Sequence, residues 1–218
     1  MITKLLKTTL VLAALMMAAY STSEAQALRL LDMTFSSYQG NYQPISSPDW
    51  RVSGRIDDNS YSITLPFTFY YDGYANTRVY FNSNGFITFY PYRNYSSYYE
   101  TYINRTNASV KAMHRDLIAH SGSMSYKVEG QSGKRVMTFQ WENYDFYYQY
   151  NANMNFQIKI YETSNMVEMV YGSMNKGSYN FSYEYYWPRV GFSNRDYNGG
   201  YINTVPQGNF DFLARYSN

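Results

Sequence analysis

Arg78-Val79-Tyr80-Phe81-Asn82-Ser83-Asn84-Gly85-Phe86-Ile87-Thr88-Phe89 is the stretch on which the fold turns. Its flanks are aromatic and β-branched, residue types that suit a pleated strand surface. Between them, Asn82-Ser83-Asn84-Gly85 supplies Asn and Gly, which tolerate the positive φ of a tight hairpin connection. The pattern predicts two antiparallel strands, Arg78 to Phe81 and Phe86 to Phe89, joined by that turn. Upstream, Ile63 to Phe69 reads as another strand and Asp72-Gly73 as another turn, so the centre of the chain is antiparallel.

Working outward, the second half alternates clearly. Met124, Tyr126 and Val128 share one face, Gly130 to Gly133 turns, and Met137, Phe139 and Trp141 alternate with Thr138 and Gln140. Phe156, Ile158 and Ile160 follow, then a turn at Thr163-Ser164-Asn165, then Val167, Met169 and Tyr171. Pairing Thr163 with Met166 sets Ile160 opposite Met169 and Ile158 opposite Tyr171, leaving Lys159, Tyr161 and Glu168 outside. Further strands are predicted at Leu31 to Phe35, Tyr179 to Tyr185, Arg189 to Phe192 and Asn209 to Leu213. Ala108 to Ala119 is the one stretch that reads as a short helix, because Val110, Met113 and Leu117 recur at spacings of three and four; an extended reading of it stays open. Many short strands with Gly/Asn turns and no fixed repeat predict an all-β fold. Its expected form is an antiparallel β-sandwich of two sheets, jelly-roll-like or immunoglobulin-like, with at most one short helix.

The N-terminus has a basic start with Lys4 and Lys7, an apolar run from Thr9 to Ala19 and a Ser23-x-Ala25 ending. This describes a secretory signal peptide over residues 1–25, with residues 26–218 as a single domain. The apolar run is shorter than a membrane span, so no membrane insertion is expected after cleavage. There is no cysteine among the 218 residues, which excludes disulfides and thiolate zinc sites and leaves stability to the core. That core is aromatic: 28 Tyr, 13 Phe and 3 Trp. The 18 basic and 16 acidic residues are scattered, which excludes the clustered basic face that nucleic acid requires.

The order of Leu65 to Gly73 (LPFTFYYDG), Val79 to Phe89, a segment ending Asp116-Leu117, Val136 to Phe146 (VMTFQWENYDF), Phe156 to Gly172 and Arg189 to Asn194 (RVGFSN) resembles a β-sandwich domain of secreted bacterial proteins. Such domains are similar to nidogen-type extracellular modules, of the kind found in Bacteroidetes-type secreted or type IX sorted surface proteins. The resemblance implies a secreted, extracellular or cell-surface location, with the periplasm as the alternative. Where that family has an aromatic residue followed by Asp-Asp-Leu, this chain has His114-Arg115-Asp116-Leu117.

Catalytic constellations are sparse. His114-Arg115-Asp116-Leu117 mimics a kinase catalytic loop, but Ser121 stands where that loop has Asn, and no Gly-rich phosphate loop accompanies it. There is no Gly-x-Ser-x-Gly elbow and no His-Glu-x-x-His. His114 and His120, the only histidines, read as surface or core-edge residues. Glu142, Asp145, Glu162, Glu168 and Glu184 could supply a glycosidase pair only if two shared a cleft. Asp57-Asp58-Asn59 clusters oxygens that suit calcium, but it lacks the spaced acids of an EF-hand and reads as a solvated loop. No cofactor and no metal are predicted.

Tyrosine is the informative residue. It crowds Tyr90 to Tyr102, Tyr144 to Tyr150 and Tyr179 to Trp187, and in the first two segments a two-layer sandwich cannot bury consecutive rings on both faces. Tyr92, Tyr95, Tyr98, Tyr99, Tyr147, Tyr148 and Tyr150 are therefore the expected aromatic platform. The function expected is non-enzymatic binding or adhesion, with an extracellular glycan or a cell-surface protein as partner. The alternative is a structural subunit that self-associates into a fibre or matrix through its edge strands, and a glycan-active hydrolase comes third.

Overall fold

Alternation decides the architecture most plainly between Ser60 and Tyr71, where Ile63, Leu65, Phe67, Phe69 and Tyr71 are buried and the residues between Ser62 and Tyr70 on the other face are exposed. A strand with one buried face needs a second layer, and the computed structural model supplies it. Residues 34–90, 108–147, 150–178, 188–193 and 213–217 are described. Among them there is no helix. The strands are β1 (Thr34–Tyr38), β2 (Trp50–Asp57), β3 (Ser60–Tyr71), β4 (Tyr74–Asn82), β5 (Phe86–Thr88), β6 (Ser109–His114), β7 (Leu117–Glu129), β8 (Val136–Phe146), β9 (Asn153–Tyr161), β10 (Val167–Asn175), β11 (Arg189–Ser193) and β12 (Leu213–Ser217).

They form two antiparallel sheets, one of seven strands in the order β1-β12-β10-β9-β8-β7-β2 and one of five in the order β11-β6-β5-β4-β3. The protein is thus the all-β sandwich that the turn chemistry predicts. Aromatic rings lock the layers together. Phe81 of β4 meets Phe139 and Trp141 of β8 edge-on, with centroids 5.2 Å and 4.7 Å apart, and Trp141 stacks on Phe156 at 4.9 Å. Two side-chain hydrogen bonds also cross between the sheets: Trp141 Nε1 donates to the Asn82 carbonyl at 2.9 Å and the Tyr171 hydroxyl to the Ala112 carbonyl at 2.7 Å. Each large side chain in such a core contributes about 1.5–3 kcal/mol relative to exposure.

The predicted hairpin is present, with Tyr80 opposite Thr88, Phe81 opposite Ile87 and Asn82 opposite Phe86. The helix over Ala108 to Ala119 is not. Those residues are β6 and the start of β7, and all six residues of β6 are buried, so no alternation survives to show that they form a strand. The β9–β10 register also differs: Ile160 lies opposite Val167 and Ile158 opposite Met169. The connection is longer than predicted, because positive φ at Thr163 and Asn165 lets Tyr161 N reach the Met166 carbonyl at 3.0 Å. A slip of two residues keeps every side chain on its expected face. Glu168 nevertheless is not exposed: β12 runs alongside, and the Tyr161 hydroxyl donates to its carboxylate at 2.6 Å. The first strand runs three residues later than predicted and the last occupies Leu213–Ser217. The leader, the strand at Tyr179 to Tyr185 and Glu184 lie outside the described residues.

The outer face of the seven-stranded sheet is roofed by the segment from Tyr42 to Asp49. Gln157 Nε2 donates to the Gln43 carbonyl at 2.8 Å and to Gln140 Oε1 at 2.7 Å, while Ile45 N donates to the same Gln140 oxygen at 2.8 Å. Asp49 continues the contact, its N–H to the Tyr126 carbonyl and its carboxylate to Val128 N. Gly172 lies under the Tyr42 ring, which a Cβ there would meet at 2.7 Å. Thr138, Gln140 and Gln157 therefore face away from the core and are buried all the same.

One edge of the five-stranded sheet is β3, and it is blunted. Pro66 removes a donor from its middle, and the Tyr70 N–H is taken by the Asn165 side chain at 2.9 Å. Where β8 begins, Arg135 and Glu162 form a two-pronged ion pair: Nη2 reaches Oε1 at 2.6 Å and Nε reaches Oε2 at 2.8 Å. The Gly133 and Arg135 amides donate to the same carboxylate. The hydrogen bonds from Arg135 hold the Glu162 carboxyl down to about 2. A carboxyl lowered on folding adds stability above its unfolded pKa and loses it as pH falls through its folded one. Urea midpoints taken from pH 6 down to pH ~2 should fall less steeply for Glu162→Gln than for wild type below about pH 4.5. Parallel acid limbs would show that the pair does not contribute.

Candidate functional site

The turn Asn82-Ser83-Asn84-Gly85 is buried, which is unusual for a hairpin tip and makes it a hub. Asn82 Oδ1 accepts from Asn84 N at 2.8 Å, closing the turn on itself. Ser83 pairs with Asn59 twice, N–H to carbonyl at 2.8 Å and Oγ accepting the Asn59 N–H at 2.9 Å. Asn84 Oδ1 accepts from Leu117 N at 3.0 Å and Asn84 Nδ2 donates to Asp58 Oδ1 at 3.0 Å. The Gly85 carbonyl accepts from both Ala112 N and Met113 N. Gly85 has φ +78°, and its Cα lies against the Met113 backbone, so only glycine fits.

Around this hub the chain crosses between sheets twice, from β2 to β3 through Asp58-Asn59 and from β6 to β7 through Arg115-Asp116. The two crossings bring Asp57, Asp58 and Asp116 together, with one carboxylate oxygen from each within 4.8 Å of the others. Asp57 holds the Arg55 guanidinium through Oδ2 at 3.2 Å, while its Oδ1 is sealed from solvent and accepts no hydrogen bond. Beside it Tyr144 is wholly buried with an unpartnered hydroxyl, and burial, then the charges of Tyr61 and Asp57, push that phenol well above its usual range. The solvated loop expected at Asp57-Asp58-Asn59 is instead a half-buried corner. Sequence reading missed Asp116 as a member, since nothing local links it to Asp57.

The same corner leads to the tyrosines. Asp116 O accepts the Tyr147 N–H at 2.9 Å, and Ile118 pairs with Asp145 across β7 and β8. Tyr147 is half-buried, whereas Tyr150 is 80% exposed and stacks on His120, centroids 4.5 Å apart. Asp145 lies beneath, 3.9 Å from His120 Nε2, with Oδ1 unpartnered. Burial pushes its carboxyl up, against the Ala152 amide and His120, which pull it down. Tyr92, Tyr95, Tyr98, Tyr99 and Tyr148 lie outside the described residues, so the structure places two of the seven expected platform tyrosines, Tyr147 and Tyr150.

The remaining candidates do not converge. His114 sits on the five-stranded sheet, edge-on to Phe86, while His120 is on the seven-stranded one. Glu142 binds Arg51 and Ser123, Glu162 binds Arg135, and Glu168 binds Tyr161. The acidic corner and the Tyr150 face are places where buried polar atoms without a partner lie beside chemistry-bearing groups.

No curated protein and no solved structure matches the chain. The NIDO-related family matches residues 32–205, which takes in both crossings, the buried hairpin and the β8–β9 connection that carries Tyr147 and Tyr150. With a nidogen-related sandwich accounting for that much of its length, the chain belongs to the NIDO-related family, whose domains point to an extracellular module.

Proposed function

We propose that the protein is a secreted, non-enzymatic binding module that contacts extracellular glycans through the face centred on Tyr150. The observation that carries this reading is the posture of that ring. One side of Tyr150 is braced by His120, yet the side chain stays 80% exposed, so an aromatic surface is held ready at low entropic cost. Sugar rings stack on such surfaces through their apolar C–H faces. The tyrosines that the sequence crowds into Tyr90 to Tyr102 and Tyr144 to Tyr150 offer the same chemistry, and secretion through the N-terminal leader would deliver it outside the cell.

The self-assembling subunit is less well supported, because Pro66 and the Asn165 cap blunt β3, one of the edges that such growth could use. The test is a glycan array of cell-wall and environmental polysaccharides, probed with wild type and Tyr150→Ala. Wild type should bind a polysaccharide class, and Tyr150→Ala should bind it about tenfold more weakly with an unchanged melting temperature. Absence of binding to any polysaccharide and to whole cells would overturn the reading.

A further inference from the structure

We propose that Asp57, Asp58 and Asp116 form a binding site for a divalent cation of the calcium type, which staples the two sheets at their shared corner. The geometry fits such an ion. Calcium takes its ligands from oxygens about 2.3–2.6 Å away, so two donors on one ion lie no more than about 5 Å apart. All three carboxylates meet that condition at 4.8 Å. The donors are oxygens alone, which favours a hard cation over zinc or copper.

A cluster of acids on a surface is common without an ion, and two features set this one apart. Asp57 spends only Oδ2 on Arg55, and its Oδ1 faces the protein interior, inaccessible to solvent and without a hydrogen-bond donor. A sealed carboxylate oxygen costs folding free energy unless a cation or donor meets it. Next to it Tyr144, fully buried, carries a hydroxyl that is likewise unpartnered among the described residues and is close enough to feel the Asp57 charge. Two buried oxygens without a partner thus come from β2 and β8, the strands on either side of β7.

The placement gives the ion a task. Asp57 ends a strand of the seven-stranded sheet, Asp58 lies in the crossing to the five-stranded one, and Asp116 lies in the crossing back. Bridging them joins the two layers at one point, as a disulfide would in a chain that had cysteines; this one has none. Asp58 is already steered by Asn84 Nδ2, and the Asp116 carbonyl holds the Tyr147 amide, so the ion also braces the base of the segment that leads to Tyr150. Extracellular calcium modules bind at about 0.1–1 mM, a range matched to the extracellular medium.

Thermal unfolding of the protein in 10 mM CaCl2, in 10 mM MgCl2 and in EDTA tests the site, with terbium luminescence as a direct binding signal. Calcium should raise the melting temperature by about 3–10 °C over EDTA, with magnesium smaller. Terbium should give a saturable signal that calcium competes away. Asp116→Asn and Asp58→Asn should each abolish the calcium shift, while their melting temperature in EDTA is unchanged or higher because repulsion among the carboxylates is relieved. An equal melting temperature in calcium and EDTA overturns the proposal, as does a calcium shift that survives either substitution. Should one variant fail to fold, the other and the terbium titration of wild type still decide. None of these readouts depends on glycan binding.

Discussion

Trp141→Ala should lower the free energy of unfolding by about 3–5 kcal/mol, the largest loss expected from any single core truncation in this protein. The residue is completely buried at the centre of the sandwich, with Phe156 stacked on one face and Phe81 edge-on to its ring. Collapse into the space is restricted, since each neighbour is fixed on its own strand and Phe81 also packs on Trp50 and Phe139. The substitution also leaves the Asn82 carbonyl without its indole donor, in the turn that organises the acidic corner. Trp141→Phe separates the two effects: it keeps the stack and loses the hydrogen bond, so it should cost about 1–3 kcal/mol. Urea unfolding followed by far-UV circular dichroism measures both. A Trp141→Ala loss below about 1 kcal/mol would mean that the ring cluster is not the core's keystone.

Gly85→Ala is expected to be nearly as damaging, for a backbone reason. At φ +78° an L side chain is strained by about 1–2 kcal/mol, and here its Cβ would also fall against the Met113 carbonyl group, with Leu117 Cδ1 at 3.1 Å. The Met113 carbonyl cannot retreat, because Ala112 and Met113 are both hydrogen-bonded to the Gly85 oxygen. Overpacking of this kind adds about 1–3 kcal/mol, for a total of about 2–5 kcal/mol. Gly133→Ala is the control: its φ is +87° but nothing lies within 4 Å of the added carbon, so it carries the backbone strain alone. Equal losses at the two positions, in paired urea titrations, would show that the close approach of β5 and β6 is not a constraint.

What could be read from the chain follows physical locality. The β4–β5 hairpin was legible because Asn and Gly state their backbone requirement in four consecutive residues, and β8 because Met137, Phe139 and Trp141 alternate with polar neighbours. Ala108 to Ala119 misled for the opposite reason. β6 lies inside its sheet with both faces covered, so Lys111 and His114 are buried alongside Val110 and Met113 and the period of two disappears. The polar Gln140 and Gln157 were placed on their correct face, but nothing in β8 or β9 foretells that a distant stretch would cover them. The acidic corner was half visible in Asp57-Asp58; Asp116 joins it only because two crossings happen to meet at one end of the sandwich. Tyr150 was predicted as part of the platform, while its support by His120 depends on β7 and β8 being neighbours.

The roof from Tyr42 to Asp49 redraws where the domain starts. A boundary drawn at Trp50, where the first strand of the central sandwich begins, would look reasonable and would cut away the carbonyls and amides that satisfy Gln140 and Gln157. It would also bare the groove above Gly172 that the Tyr42 ring fills. Anyone excising this module for fusion, display or crystallisation inherits that constraint: the autonomous unit begins upstream of Tyr42, and irregular backbone is as much a part of it as the strands.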